Sequence, residues 1–281
     1  MKITRIENNL LLSDINNFDP FVSCECGQCF RFERISDDEY ELYACGRVLN
    51  IKRDKNGWLF EGITDAEFNE SFVKYFDLER DYAKIIESFS ADEHLTRAAT
   101  AGSGIRIFRQ DAWETLISFI ISANNNIPRI KKIISSLCCL LGEEKDGFYS
   151  FPTPQSIVNA GIEGLAPIKA GFRAKYIYDA ALKVSSGEIS LDYLQNCGYE
   201  TALAELKKIK GVGDKVANCV LLFGLGYYSA FPIDVWVKRV ISKYYGEDFA
   251  PASLGEYAGI AQQYLFYYER NSSENSSERD L

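Results

Sequence analysis

The sequence predicts an α+β protein: an N-terminal lobe built on a twisted antiparallel sheet, then a larger all-helical lobe that carries a helix-hairpin-helix motif. Short runs rich in aromatic and β-branched residues fill the first 63 positions, and helical patterns follow them. Residues 203–208 and 214–223 repeat at helical period and are joined by a short turn. With 281 residues and 47% hydrophobic content, the chain can bury a core in each lobe.

The sheet lobe, with flanking helices, is expected over residues 1–100. The runs CFRFERI, YELYACGRVLNI and WLFEGI have strand composition, and turn signals at residues 36–39 and 53–57 separate them. Beyond Asp65 the pattern becomes helical, and residues 72–89 alternate apolar and charged faces at helical spacing.

The helical lobe is expected over residues 101–270, before a polar tail at 271–281 that we predict to be disordered. Asp111 is placed to cap a very apolar helix through Ile121, with Glu114 at the capping-box position. Three further helices are expected from capping, proline and glycine signals. They are the helix that begins after Asn126 with Pro128 and ends at Gly142, residues 173–186, and residues 236–245 after Asp234.

The cysteines indicate a reducing compartment and no metal centre. Eight cysteines behind an N-terminus that lacks a signal-peptide pattern are typical of reduced thiols in a cytosolic protein. Cys24, Cys26 and Cys29 form one loose cluster that is poorly spaced for zinc, so we interpret them as small residues in a turn-rich strand. No run of about 18 apolar residues is present, so no membrane span is predicted.

The charge distribution bears on nucleic-acid binding. The net charge of −9 opposes it, since phosphate neutralisation requires Lys and Arg. Residues 1–100 hold 12 Lys and Arg against 20 Asp and Glu, whereas residues 205–245 hold seven against three, a net of +4. The positive charge is therefore concentrated around the short turn.

That turn has the composition of a phosphate-binding hairpin. Gly211 and Gly213 stand at alternate positions, and the following run begins a helix whose free N–H groups point outward. Lys215 lies in the first turn of this helix, and Asp234 follows later in the chain, after Pro232.

The hairpin, the lysine and the aspartate together resemble the helix-hairpin-helix DNA glycosylases that carry a catalytic lysine, in particular the 8-oxoguanine DNA glycosylase/lyases. Four further segments resemble that family in the family's order, so the resemblance covers most of the chain. They are GQCFRF at 27–32, GIRIFRQDAWETLISFIISANNNIPRI at 104–130, GFRAKY at 171–176 and AGIAQQYLF at 258–266.

The resemblance implies a bifunctional glycosylase/AP lyase that excises 8-oxoguanine from duplex DNA in base-excision repair. It implies a monomer whose partner is double-stranded DNA containing an oxidised purine, with the helix-hairpin-helix at about residues 201–225. No cysteine follows Cys219, so the iron–sulfur cluster of some superfamily members is not expected, and no other cofactor is implied. We expect a cytoplasmic, nucleoid-associated enzyme if the chain is prokaryotic, which we favour, and a nuclear one if it is eukaryotic.

Lys215 is then the nucleophile. An amine that attacks C1′ of the sugar can displace the base and form a Schiff base, but an ordinary lysine, with a pKa of roughly 10.4, is protonated. Desolvation or the positive end of a helix would make the amine available. Asp234 would stabilise the oxocarbenium-like sugar, while one of its oxygens caps the next helix. Considered alone, Lys215 is typical of a solvated phosphate contact, and Asp234 of a simple cap.

The resemblance also implies a base pocket. The Gly27 carbonyl would accept from N7–H, the group that distinguishes 8-oxoguanine from guanine, and an amide at Gln262 would read the Watson–Crick edge. Cys219, four residues after Lys215, and Phe266 would cover the two faces of the extruded base, with Phe223 nearby. Without the resemblance we would interpret Gly27 as a bulge glycine, and the cysteine and the phenylalanine as core residues.

The remaining implied contacts are with the opposite strand and the phosphates. Asn124 would fill the hole left by the flipped nucleotide, Phe172 would be the wedge where mammalian members carry tyrosine, and Arg129 and Arg173 would read the estranged cytosine. As isolated charges, both arginines would be surface residues. Phosphates would lie against Gly211, Gly213 and Val216, and the carbonyls of Lys207, Ile209 and Val212 could hold a monovalent cation.

Some positions depart from the family. Lys210 replaces a proline before the hairpin glycines, and Trp236 replaces a histidine that contacts phosphate. His94, the only histidine, matches nothing in the family and is predicted to be a surface residue.

Two rival functions have distinguishable consequences. A non-catalytic helix-hairpin-helix module would bind DNA without covalent trapping, and would leave Lys215, Cys219 and Asp234 without a joint purpose. A glycosylase for alkylated purines would have an open, electron-rich aromatic cleft in place of the Gly27–Gln262 pair.

Overall fold

The computed structural model describes the backbone of residues 1–277 and the side chains of residues 1–272, and its N-terminal lobe is a six-stranded antiparallel sheet. The order across the sheet is β1-β2-β6-β5-β4-β3, and every neighbouring pair of strands is antiparallel. The strands are β1 (Lys2–Ile6), β2 (Asn9–Ser13), β3 (Phe32–Ser36), β4 (Glu39–Ala44), β5 (Arg47–Asp54) and β6 (Gly57–Glu61).

One of the predicted strand runs is in fact a hairpin. YELYACGRVLNI turns at Cys45 and Gly46, which both have positive φ (52° and 75°), and its two halves pair as β4 and β5. Strand composition continues through the turn, so only Gly46 signals it in the sequence.

The expectation that Cys24, Cys26 and Cys29 lie in a strand is wrong. Pro20–Ser23 forms helix α1, which continues as a π-helical turn over Cys24–Gln28. The Asp19 carboxylate caps α1 by accepting from Phe21 N (2.9 Å) and Val22 N (3.1 Å). An N-cap followed by proline is a helix-start signal, and here it outweighs the turn-like composition.

Helices make up most of the rest of the described chain, with a small hairpin of β7 (Glu144–Lys145) and β8 (Phe148–Tyr149). The helices are α2 (Asp65–Glu67), α3 (Val73–Tyr75), α4 (Tyr82–Ser88), α5 (Glu93–Ala101), α6 (Ala112–Ser122), α7 (Ile127–Leu141), α8 (Pro154–Gly164), α9 (Ala174–Ser185), α10 (Leu191–Leu194), α11 (Tyr199–Leu206), α12 (Asp214–Cys219), α13 (Val235–Val240) and α14 (Ala258–Ser277). π-Helical turns extend α12 over Val220–Gly224 and α13 over Ile241–Tyr245.

The end signals predicted α6, α7, α9 and α13 correctly. Asp111, Asn126 and Asp234 each cap the expected helix through a side-chain oxygen. Glu114 does not complete a capping box; its carboxylate lies 3.2 Å from the guanidinium of Arg31 instead.

Three helix boundaries differ from the predictions. Residues 72–89 are interrupted between α3 and α4, where Asp77 has φ 52°. The first helix of the hairpin motif is α11, which begins at Tyr199, whereas the sequence predicted a start at residue 203. Residues 271–277 of the predicted tail continue α14, and residues 278–281 lie outside the described residues.

Two hydrophobic cores organise the lobes. The sheet core joins the inward faces of the strands to aromatic residues such as Phe68, Phe72 and Phe108. The helical core also takes in α4 and α5, together with Cys26 and Phe30. The division at residue 100 stays a prediction, but the packing groups α4 and α5 with the helical lobe. None of the described helices has the length and apolarity needed to cross a bilayer.

His94 is buried, so its predicted surface position is wrong. It is 7% exposed, and its ring stacks on Tyr244 with the centroids 3.6 Å apart. Burial lowers the pKa of its imidazole. Sequence spacing does not reveal this burial, because the stacking partner lies far along the chain.

Candidate active site

The predicted nucleophile lies where α12 packs against α6. Lys215 is in the first turn of α12 and is half-buried. Its Nζ is 3.3 Å from Ser122 Oγ and 5.0 Å from the centre of the Phe119 ring. Both partners come from the last turn of α6, so two helices fix the position of the amine.

An aromatic row lies beneath the amine. The Phe119 ring stacks on Phe223 with a centroid distance of 5.5 Å and an interplanar angle of 16°. On its other side Phe119 meets Phe30 edge-on, at 5.6 Å and 70°. The row joins the Phe119 ring beneath the amine to Phe30, in the segment that follows Gly27, and to the buried Phe223.

Cys219 is buried on the same helix as Lys215, with 2% of its surface exposed. Burial raises the pKa of its thiol to about 11, although the nearby Lys215 charge acts in the opposite direction. The side chain is therefore a neutral, polarisable surface at neutral pH and not a thiolate nucleophile.

Asp234 caps α13 with a single oxygen. Its Oδ1 accepts from Trp236 N (3.0 Å) and Val237 N (2.9 Å). Burial raises the pKa of this carboxyl, and the Val237 N–H and the Lys215 charge oppose that effect. The two side chains interact electrostatically, and within the described part of the chain no direct ion pair joins them. Oδ2 takes no part in the cap and is available to stabilise positive charge on a bound group.

Gly27 and Phe266 pack against each other at the predicted base pocket, by which we mean Gly27, Cys219, Phe223, Gln262 and Phe266. Gly27 has φ 79°, and a Cβ there would lie 3.3 Å from Phe266 Cε1. Gln262 is 4% exposed, and its Oε1 has no hydrogen-bond partner among the described residues. A buried amide oxygen without a protein partner is left to accept a hydrogen bond from water or from a bound group.

Two other glutamines hold the Gly27 segment in place. The buried Gln28 amide donates to the carbonyls of Ser23 (2.9 Å) and Arg106 (2.8 Å), and it accepts from Phe108 N (2.7 Å). On α14, Gln263 Nε2 donates to Cys26 O at 2.6 Å. The backbone around the Gly27 carbonyl is therefore fixed before any ligand binds.

The hairpin turn between α11 and α12 needs its two glycines for different reasons. Gly211 has φ 82°, and a Cβ there would overlap the Tyr176 ring. Gly213, the N-cap of α12, has φ −96°, and nothing lies within 4 Å of the position a Cβ would take. Neither backbone angle nor packing requires glycine at 213, so its open surface suits the close approach of a ligand, beside the buried Val216 in the same first turn.

Ion pairs within the chain engage three of the seven basic side chains that the sequence places around the hairpin. Lys207 pairs with Asp214 (2.6 Å), and Lys208 with Glu205 (2.6 Å). Lys210 Nζ lies 3.5 Å from Asp179, which belongs to α9. Backbone N–H groups of the turn are also available to bind anions. Of the three carbonyls considered for a cation, that of Ile209 already accepts from Val212 N at 3.1 Å.

Arg173 is not free to read a base in this conformation. It is 2% exposed, and its guanidinium donates to the carbonyls of Ala123 (2.5 and 2.9 Å), Asn124 (2.7 Å) and Ala170 (3.3 Å). These bonds hold Asn124 at φ 50° at the end of α6. Only one of the five guanidinium N–H groups is left over.

The two neighbouring predicted contacts are accessible. Phe172 is 49% exposed, and the Arg173 guanidinium lies over its ring at 4.4 Å. Arg129 is exposed in the first turn of α7 and lies close enough to Arg173 to lower the pKa of that guanidinium, although burial contributes more. Phe172, Arg129 and Asn124 thus form an exposed group at one side of the site.

Sequence reasoning missed Phe119, Ser122 and Gln28. All three lie inside the segments on which the resemblance rests, so the signal was present there. Their roles depend on contacts across helices, and no local spacing encodes those. Among the described residues no group of three or more potential side-chain metal ligands is found.

Comparisons with known proteins place most of the chain in two family regions. The family model for the 8-oxoguanine DNA glycosylase N-terminal domain matches residues 10–116. The model for the HhH-GPD superfamily base excision DNA repair protein matches residues 117–253.

Individual relatives agree. The N-glycosylase/DNA lyase of Saccharomyces cerevisiae is 37% identical over 252 residues, which are 79% of this chain and 66% of that protein. This chain thus spans slightly less than two thirds of the yeast protein. The N-glycosylase/DNA lyase OGG1 of Arabidopsis thaliana is 34% identical over 274 residues, 86% of this chain and 75% of that protein. The Clostridium acetobutylicum 8-oxoguanine glycosylase/lyase, solved with dsDNA containing cytosine opposite to 8-oxoG, superposes with a TM-score of 0.91 at 36% identity. That match covers 97% of this chain and 99% of the other.

Proposed function

The chain belongs to the 8-oxoguanine DNA glycosylases of the HhH-GPD superfamily of base excision DNA repair proteins, and we propose that it is a bifunctional DNA glycosylase/AP lyase acting on 8-oxoguanine in duplex DNA. The observation that carries the proposal is the position of Lys215 over Phe119 and beside Ser122, with the Asp234 carboxylate close enough to interact electrostatically. This arrangement gives an amine nucleophile and an anionic stabiliser on two different helix starts.

The reaction uses these two groups in turn. The lesion nucleotide is extruded from the stack, at a cost of a few kcal/mol that the wedge and the pocket recover. As the C1′–N9 bond breaks, its electron pair leaves with the base, and Asp234 Oδ2 stabilises the positive charge that develops on the sugar. Lys215 gives up its ammonium proton to the departing base and forms the new bond to C1′. The proton that the bonded nitrogen then carries in excess passes to the ring oxygen, whose bond to C1′ breaks and leaves the protonated Schiff base. Loss of a C2′ proton then expels the 3′ phosphate by β-elimination.

Lesion recognition is assigned to the base pocket. The Gly27 carbonyl accepts from the N7–H that 8-oxoguanine has and guanine lacks. The Gln262 side chain, whose Oε1 has no hydrogen-bond partner among the described residues, reads the opposite edge of the base, and Cys219 and Phe266 cover the two faces of the base. Phe266 packs directly on Gly27 here, so its ring moves aside when a base enters.

The remaining assignments complete the proposal. The enzyme acts as a monomer on double-stranded DNA and is located with the genome, at the nucleoid of a prokaryote or in the nucleus of a eukaryote. The chemistry needs no cofactor, because the Lys215 amine is both nucleophile and electron sink. If a monovalent cation binds the hairpin carbonyls of Lys207, Ile209 and Val212, its role is to hold the turn and not to react.

Borohydride trapping tests the proposal. Borohydride reduces a Schiff base to a stable amine, so the wild-type protein should become covalently linked to a duplex that holds one 8-oxoguanine. An undamaged duplex of the same sequence should give no adduct. Binding without an adduct would favour the non-catalytic hairpin module, and excision confined to alkylated purines would favour the other rival.

The two hairpin glycines provide the first prediction. Gly213→Ala should weaken binding of the lesion duplex about tenfold, since the methyl group keeps a phosphate from N–H groups that each contribute about 1.5–3 kcal/mol. Its unfolding free energy should change by less than about 1 kcal/mol, because φ and packing at 213 tolerate alanine. Gly211→Ala is the contrast: positive φ and overlap with Tyr176 should cost at least about 2 kcal/mol of stability. Equal destabilisation by both would refute a ligand role for Gly213.

The second prediction concerns the base opposite the lesion. Preference for cytosine should be weaker than in the mammalian members, because Phe172 lacks the tyrosine hydroxyl and Arg173 is held by the carbonyls of Ala123 and Asn124. Arg129 remains free, and one bidentate contact to a base provides about 1–3 kcal/mol of discrimination. Single-turnover excision from duplexes with each of the four opposite bases measures the preference.

Two variants assign the cause of that preference. Phe172→Tyr should sharpen it, whereas Arg129→Gln should nearly abolish it while leaving the rate with the poorest opposite base unchanged. A cytosine preference as steep as that of the mammalian enzymes in the wild-type protein would sink the prediction.

A further inference from the structure

The amine of Lys215 has a hydroxyl partner that its helix does not supply. Ser122 is the last residue of α6, and its Oγ lies 3.3 Å from Lys215 Nζ. The same Oγ lies 2.8 Å from the carbonyl oxygen of Phe119, three residues earlier. A hydroxyl has one hydrogen and two lone pairs, so the bond to the carbonyl uses its only donor. Toward Lys215, Ser122 can therefore only accept.

An acceptor-only partner suits a nucleophile. A neutral amine has two N–H groups and one lone pair, and the lone pair must face C1′ for attack. A donor at this place would compete for the lone pair, whereas an acceptor takes an N–H and leaves the lone pair free. The Phe119 ring at 5.0 Å closes another side of the amine. The hydrogen bond to Ser122 favours one rotation about the Cε–Nζ bond, so the direction of the lone pair is set before attack.

The position of Ser122 is itself fixed. The next two carbonyls, those of Ala123 and Asn124, accept from the buried Arg173 guanidinium at 2.5–2.9 Å. The end of α6 therefore cannot fray, although helix ends ordinarily do. The Phe119 carbonyl also belongs to α6, so the Ser122 hydroxyl and the carbonyl to which it donates lie in the same helix.

We propose that Ser122 is a positioning residue for the nucleophile, which accepts an N–H of Lys215 and so orients the amine for attack on C1′. This inference rests on the proposed function, because it presupposes that Lys215 is the nucleophile. It adds a residue of α6 to a site whose reacting groups come from α12 and the start of α13. It also explains why a polar side chain lies beside the apolar Phe119 surface.

The test compares Ser122→Ala with Ser122→Thr. The alanine variant should slow single-turnover excision of 8-oxoguanine about 5- to 20-fold, the usual effect of losing one hydrogen bond at a reacting group. The equilibrium dissociation constant for the lesion duplex should stay within about twofold of wild type, because Ser122 contacts the amine and not DNA in this proposal. The threonine variant keeps the oxygen and should recover most of the rate.

A preformed abasic-site duplex isolates the amine. Schiff-base formation there needs Lys215 but neither base recognition nor base departure, so Ser122→Ala should slow borohydride trapping by the same factor as excision. Ser88→Ala is the matched control: Ser88 ends α4 with the same bond to a carbonyl three residues earlier (2.6 Å), and it should match wild type in both assays.

The outcomes separate this inference from the proposed function. If wild-type protein traps on both duplexes and Ser122→Ala traps and excises within twofold of it, Ser122 does not position the amine. Ser122→Ala could instead bind the duplex more weakly and melt at a lower temperature, with an unchanged trapping rate at saturating protein. In that case Ser122 only stabilises the end of α6, and the inference is also overturned. If wild-type protein never traps, the proposed function itself fails.

Discussion

Lys215→Gln is expected to bind the lesion duplex specifically while losing both base excision and borohydride trapping. Glutamine has similar length and can occupy the space over Phe119 and beside Ser122, so the pocket should survive. An amide nitrogen is not nucleophilic, however, and cannot form a Schiff base. Removing a covalent nucleophile from other enzymes lowers the rate by several orders of magnitude, so we expect a loss of at least about 10³-fold in single-turnover excision.

Lys207→Gln is the matched control for this variant. Lys207 lies in the same motif and carries the same charge, but it is paired with Asp214 at 2.6 Å and does not reach the pocket. It should excise and trap like wild type. If Lys215→Gln still excises the base within tenfold of wild type, Lys215 is not the nucleophile.

The fold could be predicted where local signals decide the structure. Helices α6, α7 and α13 have an Asp or Asn cap, and a cap acts within three residues of itself. The order of a sheet lobe before a helical lobe follows from the change in hydrophobic period near Asp65. Failures came where a tertiary contact overrides local composition. The Cys24–Gln28 segment continues α1 as a helical turn that breaks at Gly27 (φ 79°), and Gln263 from α14 holds it through the Cys26 carbonyl.

The resemblance proposes the residues of the candidate site but not the contacts between them, and their roles stay predictions. Lys215, Asp234 and Gly27 were proposed because they stand in segments that resemble the family's and follow the family's order. Which carbonyls Arg173 engages and which acid neutralises Lys210 depend on elements far apart in sequence. The burial of His94 against Tyr244 has the same origin. Such pairings have no spacing signal, so single-sequence reasoning assigns the residues to the surface.

The ion pairs within the chain limit which lysines near the hairpin are available to phosphates. The hairpin cannot rely on free lysines, because Lys207, Lys208 and Lys210 are paired within the chain. Backbone N–H groups of the turn are then available to phosphates, beside the basic side chains of residues 205–245 that form no ion pair among the described residues. Local binding of phosphates by such groups is compatible with a net charge of −9.

Asp234→Asn separates catalysis from capping, since both functions meet in one carboxylate. Asparagine caps helices about as well as aspartate, so Oδ1 can still accept from Trp236 N and Val237 N and the unfolding free energy should change by less than about 0.5 kcal/mol. Excision should fall by about 10²- to 10³-fold, because a neutral amide cannot stabilise an oxocarbenium-like sugar as an anion does. Asp234→Ala should lose the same activity and also about 1 kcal/mol of stability.

The pH dependence of excision tests whether the negative charge of Asp234 is what supports catalysis. Burial raises the pKa of the folded-state carboxyl above its ordinary value of about 3.9. As the pH is lowered, wild-type activity should therefore begin to fall at a higher pH than it would if Asp234 were exposed.

The raised pKa of Asp234 also affects stability. At pH values between the unfolded-state and folded-state pKa, the folded protein binds more protons than the unfolded protein. Asp234 therefore stabilises the fold fully below the unfolded value and loses that contribution as pH rises through the folded one. Asparagine does not titrate, so Asp234→Asn should lack both effects. An Asp234→Asn variant that excises within tenfold of wild type, with the acid limb of the rate intact, would leave Asp234 as a helix cap alone.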